Sequence, residues 1–202
     1  MDAETCPLSW LVLLAQLPSR PSSARVALWR RMRAAGATAV VNGAWMLPCT
    51  TAHEEFFEQL REDVIRRGGT GFVLPVLGSS PESDESIVRL FQSDRSREYD
   101  EFAERCAAFL SEINRESSAG KYTFAEMEES EQDLKKLARW LAKIQARDFF
   151  PNGRGDQSVA LLAQCRRALR GFSQAVYQVE GVQESAAGRD SAITLAPEPG
   201  ER

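Results

Sequence analysis

A group of arginines near the start of the chain is the feature best suited to chemistry. Between Glu4 and Glu54 the sequence has no acidic residue, and its five basic residues are all arginine: Arg20, Arg25, Arg30, Arg31 and Arg33. The whole chain is acidic, with a net charge of −4 and a pI near 5.3, so composition does not explain this group. Guanidinium groups bind phosphates and other oxyanions through a rigid fork of donors. The pattern therefore predicts an anionic partner, such as the backbone of DNA.

A helical wheel divides these arginines into two sets. In a helix over 22–35 the apolar arc holds Leu28, Trp29, Met32 and Ala35. Arg30 and Arg31 lie outside this arc and Arg33 lies at its margin, which suits phosphate contacts along a duplex or, alternatively, a solvated face. Arg25 falls inside the arc. Together with Arg20 on the preceding loop it predicts an oxyanion site at the helix N-terminus, and the alternative is a side-chain stem that lies along the core.

Other charged groups along the chain are interpreted as structural. Arginine outnumbers lysine by 21 to 4, which suits oxyanion binding but also follows from a GC-rich genome. A second basic group, Arg61, Arg66 and Arg67, is diluted by neighbouring acids and is interpreted as a solvent face. The acidic run over 126–133 is interpreted as helix-start acids, because a di-metal bundle would need E-x-x-H pairs that the sequence lacks.

Metal, nucleophilic and cofactor chemistry have no motif in this sequence. Its only histidine is His53, and no two of its four cysteines stand at metal-ligand spacing: Cys6, Cys49, Cys106 and Cys165. Zinc sites need several such ligands close together. The sequence also lacks G-x-S-x-G, Walker and dinucleotide-binding motifs. We therefore expect a protein that is not an enzyme and that holds no metal and no cofactor.

The first part of the chain predicts an α+β domain over residues 8–78. Apolar runs, capping residues and the Asn42-Gly43 turn divide it into strands and helices over 10–17, 22–35, 38–41, 44–47, 51–67 and 71–77. Pro75 places the last strand at an edge of the sheet. The order β-α-β-β-α-β is typical of a ferredoxin-like domain.

The rest of the chain predicts helices. Residues 79–86 have the composition of a linker, and 87–180 form an α-helical region with helices over 95–115, 124–147 and 156–177, the first two packed as a hairpin. Residues 181–202 lack periodicity and are predicted to be a disordered tail. The net charge is +1 over residues 1–80 and −5 over 81–202, consistent with two domains.

Nothing in the sequence suits a membrane. The longest apolar run is far shorter than the roughly 20 residues that a transmembrane helix needs. Acidic residues stand where a signal peptide would carry positive charge. We therefore expect a cytoplasmic protein.

Several short blocks, in order and spacing, resemble one known family. They include Trp10-Leu11-Val12-Leu13-Leu14, Arg25-Val26-Ala27-Leu28-Trp29-Arg30, Asn42-Gly43-Ala44-Trp45-Met46-Leu47-Pro48, Ser93-Asp94-Arg95, Tyr122-Thr123-Phe124-Ala125-Glu126-Met127 and Arg147-Asp148-Phe149-Phe150-Pro151. The pattern covers roughly residues 8–178. It is similar to the N-terminal domain of the ChrB family, regulators of chromate resistance.

The resemblance implies a DNA-binding transcriptional regulator of a chromate-resistance operon, which contacts promoter DNA through the helix that carries Arg25 to Arg33. Full-length members add a second domain thought to sense chromate, and we expect this chain to end before such a domain. It would then work with a separately encoded sensor protein or without regulation. A homodimer is expected if paired half-sites are bound. The alternative is a non-enzymatic accessory module that docks a partner protein or binds a small oxyanion such as chromate.

Overall fold

The computed structural model describes residues 9–20 and 22–190, with side chains up to residue 181. These residues form two compact units. The sheet unit contains the chain up to residue 99 together with 143–155, and the helical unit contains 100–142 together with the chain from 156 onward.

The sheet unit is a mixed α/β structure with a four-stranded sheet. Its elements are β1 (Ser9–Gln16), α1 (Ser22–Ala35), β2 (Thr38–Val41), β3 (Ala44–Pro48), α2 (Thr51–Arg66), β4 (Thr70–Leu77) and the first part of α3 (Pro81–Ser118). The strand order is β2-β3-β1-β4, and every neighbouring pair is antiparallel. The predicted element order is confirmed up to β4. β4 is an edge strand, where the missing N–H of Pro75 is tolerated.

Two glycines end elements of this unit as the sequence predicts. Gly43 closes the β2–β3 hairpin with φ of 82°, and Gly36 ends α1 with the same φ. The backbone N–H of Ala37 then donates to the carbonyl of Met32 at 3.0 Å, which completes the C-terminal cap. A side chain is strained at such positive φ values, so glycine is favoured at both positions.

Each face of the sheet has its own core. On one face α1 and α2 bury side chains against the strands, including Leu11, Leu13, Leu47, Met32, Phe57 and Leu60. On the other face Trp10 and Met46 pack with Phe91 of α3 and with Phe150. Trp10 also donates from Nε1 to Asp84 Oδ1 at 2.7 Å. The sheet unit therefore needs the start of α3 and the 143–155 segment to bury its second face.

The segment predicted as a linker over 79–86 mostly forms the first turns of α3. Ser80 Oγ accepts from the backbone N–H of Ser83 at 3.3 Å, and Pro81 is the first helical residue. Glu82 and Asp84 then lie in the first turn, where the helix dipole favours acids. A Ser-Pro-Glu sequence is common both to linkers and to capped helix starts, and here it begins a helix.

The helical unit contains the remainder of α3, most of α4 (Phe124–Gln145) and most of α5 (Arg154–Asp190). Phe102 of α3 packs on Trp140 of α4 with ring centroids 5.6 Å apart, while Glu116 lies beside Glu126. Early residues of α3 thus meet late residues of α4, as in the predicted antiparallel hairpin. The predicted core positions of α5 are buried: Leu162, Leu169, Phe172 and Val176.

The end of α5 differs from the prediction. Residues 181–190, predicted as part of a disordered tail, continue the helix to Asp190. The remainder of that predicted tail, 191–202, lies outside the described residues. Of the helices that the structure describes, none is both long and apolar enough to cross a membrane.

Candidate nucleic-acid interface

The start of α1 places Arg20 and Arg25 at the surface. Both side chains are exposed, and Arg20 has no side-chain partner among the described residues. The guanidinium of Arg25 donates to the carbonyls of Ser19 at 2.8 Å and Pro18 at 3.3 Å. Arg25 is therefore not inside an apolar arc, and two backbone oxygens of the preceding loop already hold its donors.

The exposed side of α1 is wider than the helical wheel predicted. Met32 is buried, but Trp29, assigned to the apolar arc, is 52% exposed. The guanidinium carbon of Arg33 lies 6.0 Å from the centre of the Trp29 ring, within the range of a cation–π contact. The prediction for Trp29 is wrong because α1 touches the sheet through a narrow strip that includes Ala24 and Met32.

Arg30 and Arg31 lie next to each other in sequence but differ in their contacts. Arg30 is exposed, with no side-chain partner in the described part of the chain. Arg31 forms an ion pair with Asp63 of α2. This contact joins two helices across 32 residues of sequence, so the wheel of one helix could not predict it.

Asp63 is shared by several arginines. Arg66 pairs with it at 2.7 Å, and Arg67 lies close enough to act on its charge. The hydrogen bond from Arg31, with the charges of all three arginines, holds the pKa of Asp63 below its usual value. One ionised carboxylate thus faces three guanidinium groups, which leaves a local excess of positive charge. The basic group at the end of α2 is part of the same surface as α1.

We call Arg30, Arg31, Arg66 and Arg67 the arginine surface. The side chains of Arg31 and Arg66 are 43% and 70% exposed, so their remaining donors can reach a partner in solvent. The sequence signal for this surface was the pair of basic groups on two successive helices. Their proximity was missed because the helix-to-helix register depends on packing.

Arg33 belongs to a different region. It pairs with Glu98 at 3.4 Å and with Asp94 at 3.5 Å, both on α3. Glu98 also pairs with Arg95 at 3.0 Å and with Arg147 at 2.6 Å. We call the group around this carboxylate the Glu98 network. Arg33, predicted to contact DNA phosphate, is thus held by two acids of its own unit.

Arg95 is the most buried member of the Glu98 network. It is only 2% exposed, and none of its three guanidinium nitrogens has a hydrogen-bond partner of good geometry in the described residues. Burial lowers its pKa, although the nearby Glu98 opposes the shift. Arg147 also donates to the carbonyl of Arg33 at 3.4 Å, and its Nε is likewise without a partner among those residues.

Two hydrogen bonds extend the Glu98 network. Thr38 Oγ1 donates to Asp94 at 2.8 Å, which connects β2 to α3. The Tyr99 hydroxyl donates to Asp148 at 2.9 Å, and burial, with the help of Asp148, raises the pKa of Tyr99. Two of the quoted sequence blocks, Ser93-Asp94-Arg95 and the block that begins at Arg147, therefore meet in one network of the sheet unit.

His53, Cys106 and Cys165 have structural surroundings. His53 Nδ1 lies 2.7 Å from the carbonyl of Pro48. Cys106 and Cys165 are buried, and burial raises the pKa of Cys106 to about 12, which leaves its thiol unreactive at neutral pH. Cys49 is exposed, whereas Cys6 lies outside the described residues. Within the described ranges no three side chains of His, Cys, Asp or Glu are grouped to hold a metal ion.

The fold and this site define a mixed α/β protein that presents arginines from two helices on one surface. A family model described as Protein ChrB, N-terminal, matches residues 25–183. The chain belongs to this family, which confirms the resemblance drawn from the sequence. It is 30% identical over 146 residues to Protein ChrB of Cupriavidus metallidurans, covering 71% of this chain and 41% of that protein. The chain thus matches about two fifths of the length of this relative.

Proposed function

We propose that the protein is a DNA-binding transcriptional regulator of a chromate-resistance operon and that its arginine surface contacts the DNA backbone. The observation that carries the proposal is the carboxylate of Asp63, which pairs with Arg31 and Arg66 and also feels the charge of Arg67. Such a surface keeps a net positive charge on an otherwise acidic protein and attracts phosphate. We also propose that the sheet unit is ferredoxin-like, since the strand order β2-β3-β1-β4 is typical of that fold.

Asp63 has a positioning role in this proposal. The carboxylate orients Arg31 and Arg66 while each keeps donors that point to solvent. Arg30 stands beside them with no partner in the described chain. Arg25 lies in the first turn of the same helix and Arg20 on the loop before it, from which Arg20 can reach a further phosphate. Arg33 is not a phosphate contact in this proposal, because Asp94 and Glu98 hold it.

The salt dependence of DNA binding tests the proposal. Each arginine that neutralises a phosphate steepens the log–log dependence of affinity on salt by about 0.9. We expect Arg30→Ala and Arg67→Ala each to flatten the slope by about that amount. The matched control is Arg170→Ala, which removes an exposed arginine of the helical unit and should leave the slope unchanged. Fluorescence anisotropy on promoter DNA at several salt concentrations measures the slope.

Two results of this titration would overturn the proposal. One is the absence of binding by the unaltered protein at low salt. The other is an equal loss of slope in Arg30→Ala and Arg170→Ala, which would mean that overall charge rather than this surface attracts the DNA. A scrambled DNA of the same length separates sequence recognition from phosphate binding.

The proposal includes partners and a location. A regulator that recognises paired half-sites acts as a homodimer, so two chains are expected on each operator. A chromate-sensing protein would supply the signal, and promoter DNA places the regulator in the cytoplasm. Sedimentation of the protein with one operator DNA gives the stoichiometry, and one chain per operator would contradict the dimer.

A second candidate function is the binding of a small oxyanion such as chromate. The observation that favours it is Arg95, which pairs with Glu98 but whose buried guanidinium nitrogens have no hydrogen-bond partner of good geometry among the described residues. Two further arginines of the Glu98 network, Arg33 and Arg147, lie beside it. An oxyanion would supply acceptors for these donors. Calorimetry with chromate, sulfate and phosphate tests this function, and the absence of heat with all three removes it.

A further inference from the structure

The helical unit contains a cavity that the DNA-binding function does not use. It lies between α3 and α4, has a volume of about 420 Å³, and is lined entirely by residues 105–140. Phe109, Leu137 and Trp140 form an apolar wall, and the first two are nearly fully buried. A cavity of this size and composition is typical of sites for small organic molecules.

Acidic side chains dominate the polar part of this cavity. Two cations, Arg105 and Lys136, face five carboxylates: Glu112, Glu116, Glu126, Glu129 and Asp133. Two of these acids are neutralised, since Glu112 pairs with Arg115 at 2.6 Å and Asp133 with Lys136 at 2.7 Å. The other three form no ion pair with any described residue. The cavity therefore carries an excess of negative charge.

Glu116 is the residue that points to a ligand. It is only 5% exposed, and its Oε2 is buried with no hydrogen-bond partner in the described structure. Burial, together with the charge of Glu126 and a hydrogen bond between the two carboxyl groups, raises the pKa of Glu116. Without a cation the pair is stabilised by sharing a proton, and an ammonium group between the two carboxylates would take the place of that proton. A buried carboxylate oxygen without a donor destabilises the fold, so a donor at this position would be stabilising.

The apolar wall defines what kind of cation would fit. A hard metal ion binds mainly oxygen ligands and water, and aromatic rings supply no such ligand. An ammonium group, in contrast, can donate to Glu116 and lie over an aromatic ring at the same time. We propose that this cavity binds a small organic cation in which an ammonium group is joined to an apolar body, with Glu116 and Glu126 as its acidic partners. The site is independent of the arginine surface.

Calorimetry on the full chain tests this site, with 2-phenylethylamine as the probe. We expect binding with a Kd below about 1 mM, and at least tenfold weaker binding of the neutral analogue 2-phenylethanol, at about the ratio that a charge-assisted hydrogen bond gives. Glu116→Gln, which keeps the shape of the side chain, should weaken binding of the amine by about tenfold or more. Magnesium chloride serves as the probe for a metal ion.

A matched control is available on α4, the helix that carries Glu126. Glu128 of α4 is exposed and does not line the cavity, so Glu128→Gln should leave the affinity for the amine unchanged. Glu126→Gln is a second variant that should weaken binding. No heat with the amine, equal binding of the alcohol, competition by magnesium, or equal losses in Glu116→Gln and Glu128→Gln would each overturn the proposal. Thermal unfolding of each variant verifies that it is folded.

Discussion

Two regions of the sheet unit use the same arrangement of charges in different surroundings. In the arginine surface two guanidinium groups pair with Asp63 and the charge of a third acts on it, and the side chain of Asp63 is 28% exposed. In the Glu98 network three guanidinium groups surround a carboxylate that is 11% exposed. Solvent weakens the first set of ion pairs, whereas burial makes the second set costly to disrupt. Counting charges along the sequence cannot distinguish a binding surface from a structural network, but burial can.

The largest effect is expected from removing the carboxylate of the buried network. Glu98→Gln leaves Arg95 and Arg147 without their shared countercharge, so the free energy of unfolding should fall by about 3 to 5 kcal/mol. The matching change in the arginine surface, Asp63→Asn, should alter it by less than about 1 kcal/mol. Urea unfolding followed by tryptophan fluorescence measures the free energy of unfolding of both variants. Equal losses would contradict the distinction between a buried network and an exposed surface.

A glycine pair sharpens the same comparison with an intermediate effect. A Cβ at Gly36 would lie 2.6 Å from the Cβ of Arg147, whereas one at Gly68, beside Arg67, would meet no atom within 4 Å. Both residues have positive φ, of 82° and 75°. Gly36→Ala should therefore cost about 2 to 3 kcal/mol and Gly68→Ala about 1 kcal/mol. Thermal unfolding of the two variants measures the difference in stability. The two losses would be equal if Arg147 could move away from the new Cβ without destabilising the fold.

The smallest expected effect concerns DNA. Asp63→Asn removes the carboxylate that pairs with Arg31 and Arg66, so phosphate should bind more tightly by about fivefold at low salt, or about 1 kcal/mol. The gain should shrink as salt rises, because the site is exposed to solvent. Anisotropy titrations at two salt concentrations measure this. Weaker binding would mean that positioning by Asp63 outweighs its charge.

Local sequence signals predicted most of the sheet unit. The Asn42-Gly43 turn, the glycine after α1 and the proline in β4 each act within a few residues, so they indicate the elements without knowledge of packing. The start of α3 was missed because Ser80 and Pro81 also suit a linker. Element order was therefore more predictable than the boundary between the two units.

The candidate site was predicted less completely, for a physical reason. Arg33 meets Glu98 across 65 residues of sequence, and Arg31 meets Asp63 across 32. No local sequence pattern predicts either ion pair, because the partners come together only when helices pack on the sheet. The sequence indicated that arginines were concentrated in one segment. Only the fold distinguished the arginines that acids of the same unit hold from those that keep unoccupied N–H donors.

The packing of Trp10 has a consequence for synthesis of the chain. Its ring stacks on Phe91 with centroids 5.8 Å apart and lies 5.7 Å from Phe150. A nascent polypeptide that ends near residue 80 has made all four strands but neither aromatic partner, so this tryptophan stays hydrated at the ribosome. Because Trp10 packs against residues far later in the sequence, the second face of the sheet is fully buried only after residue 150 has emerged. Translation pauses before that point would leave an apolar sheet face open to aggregation.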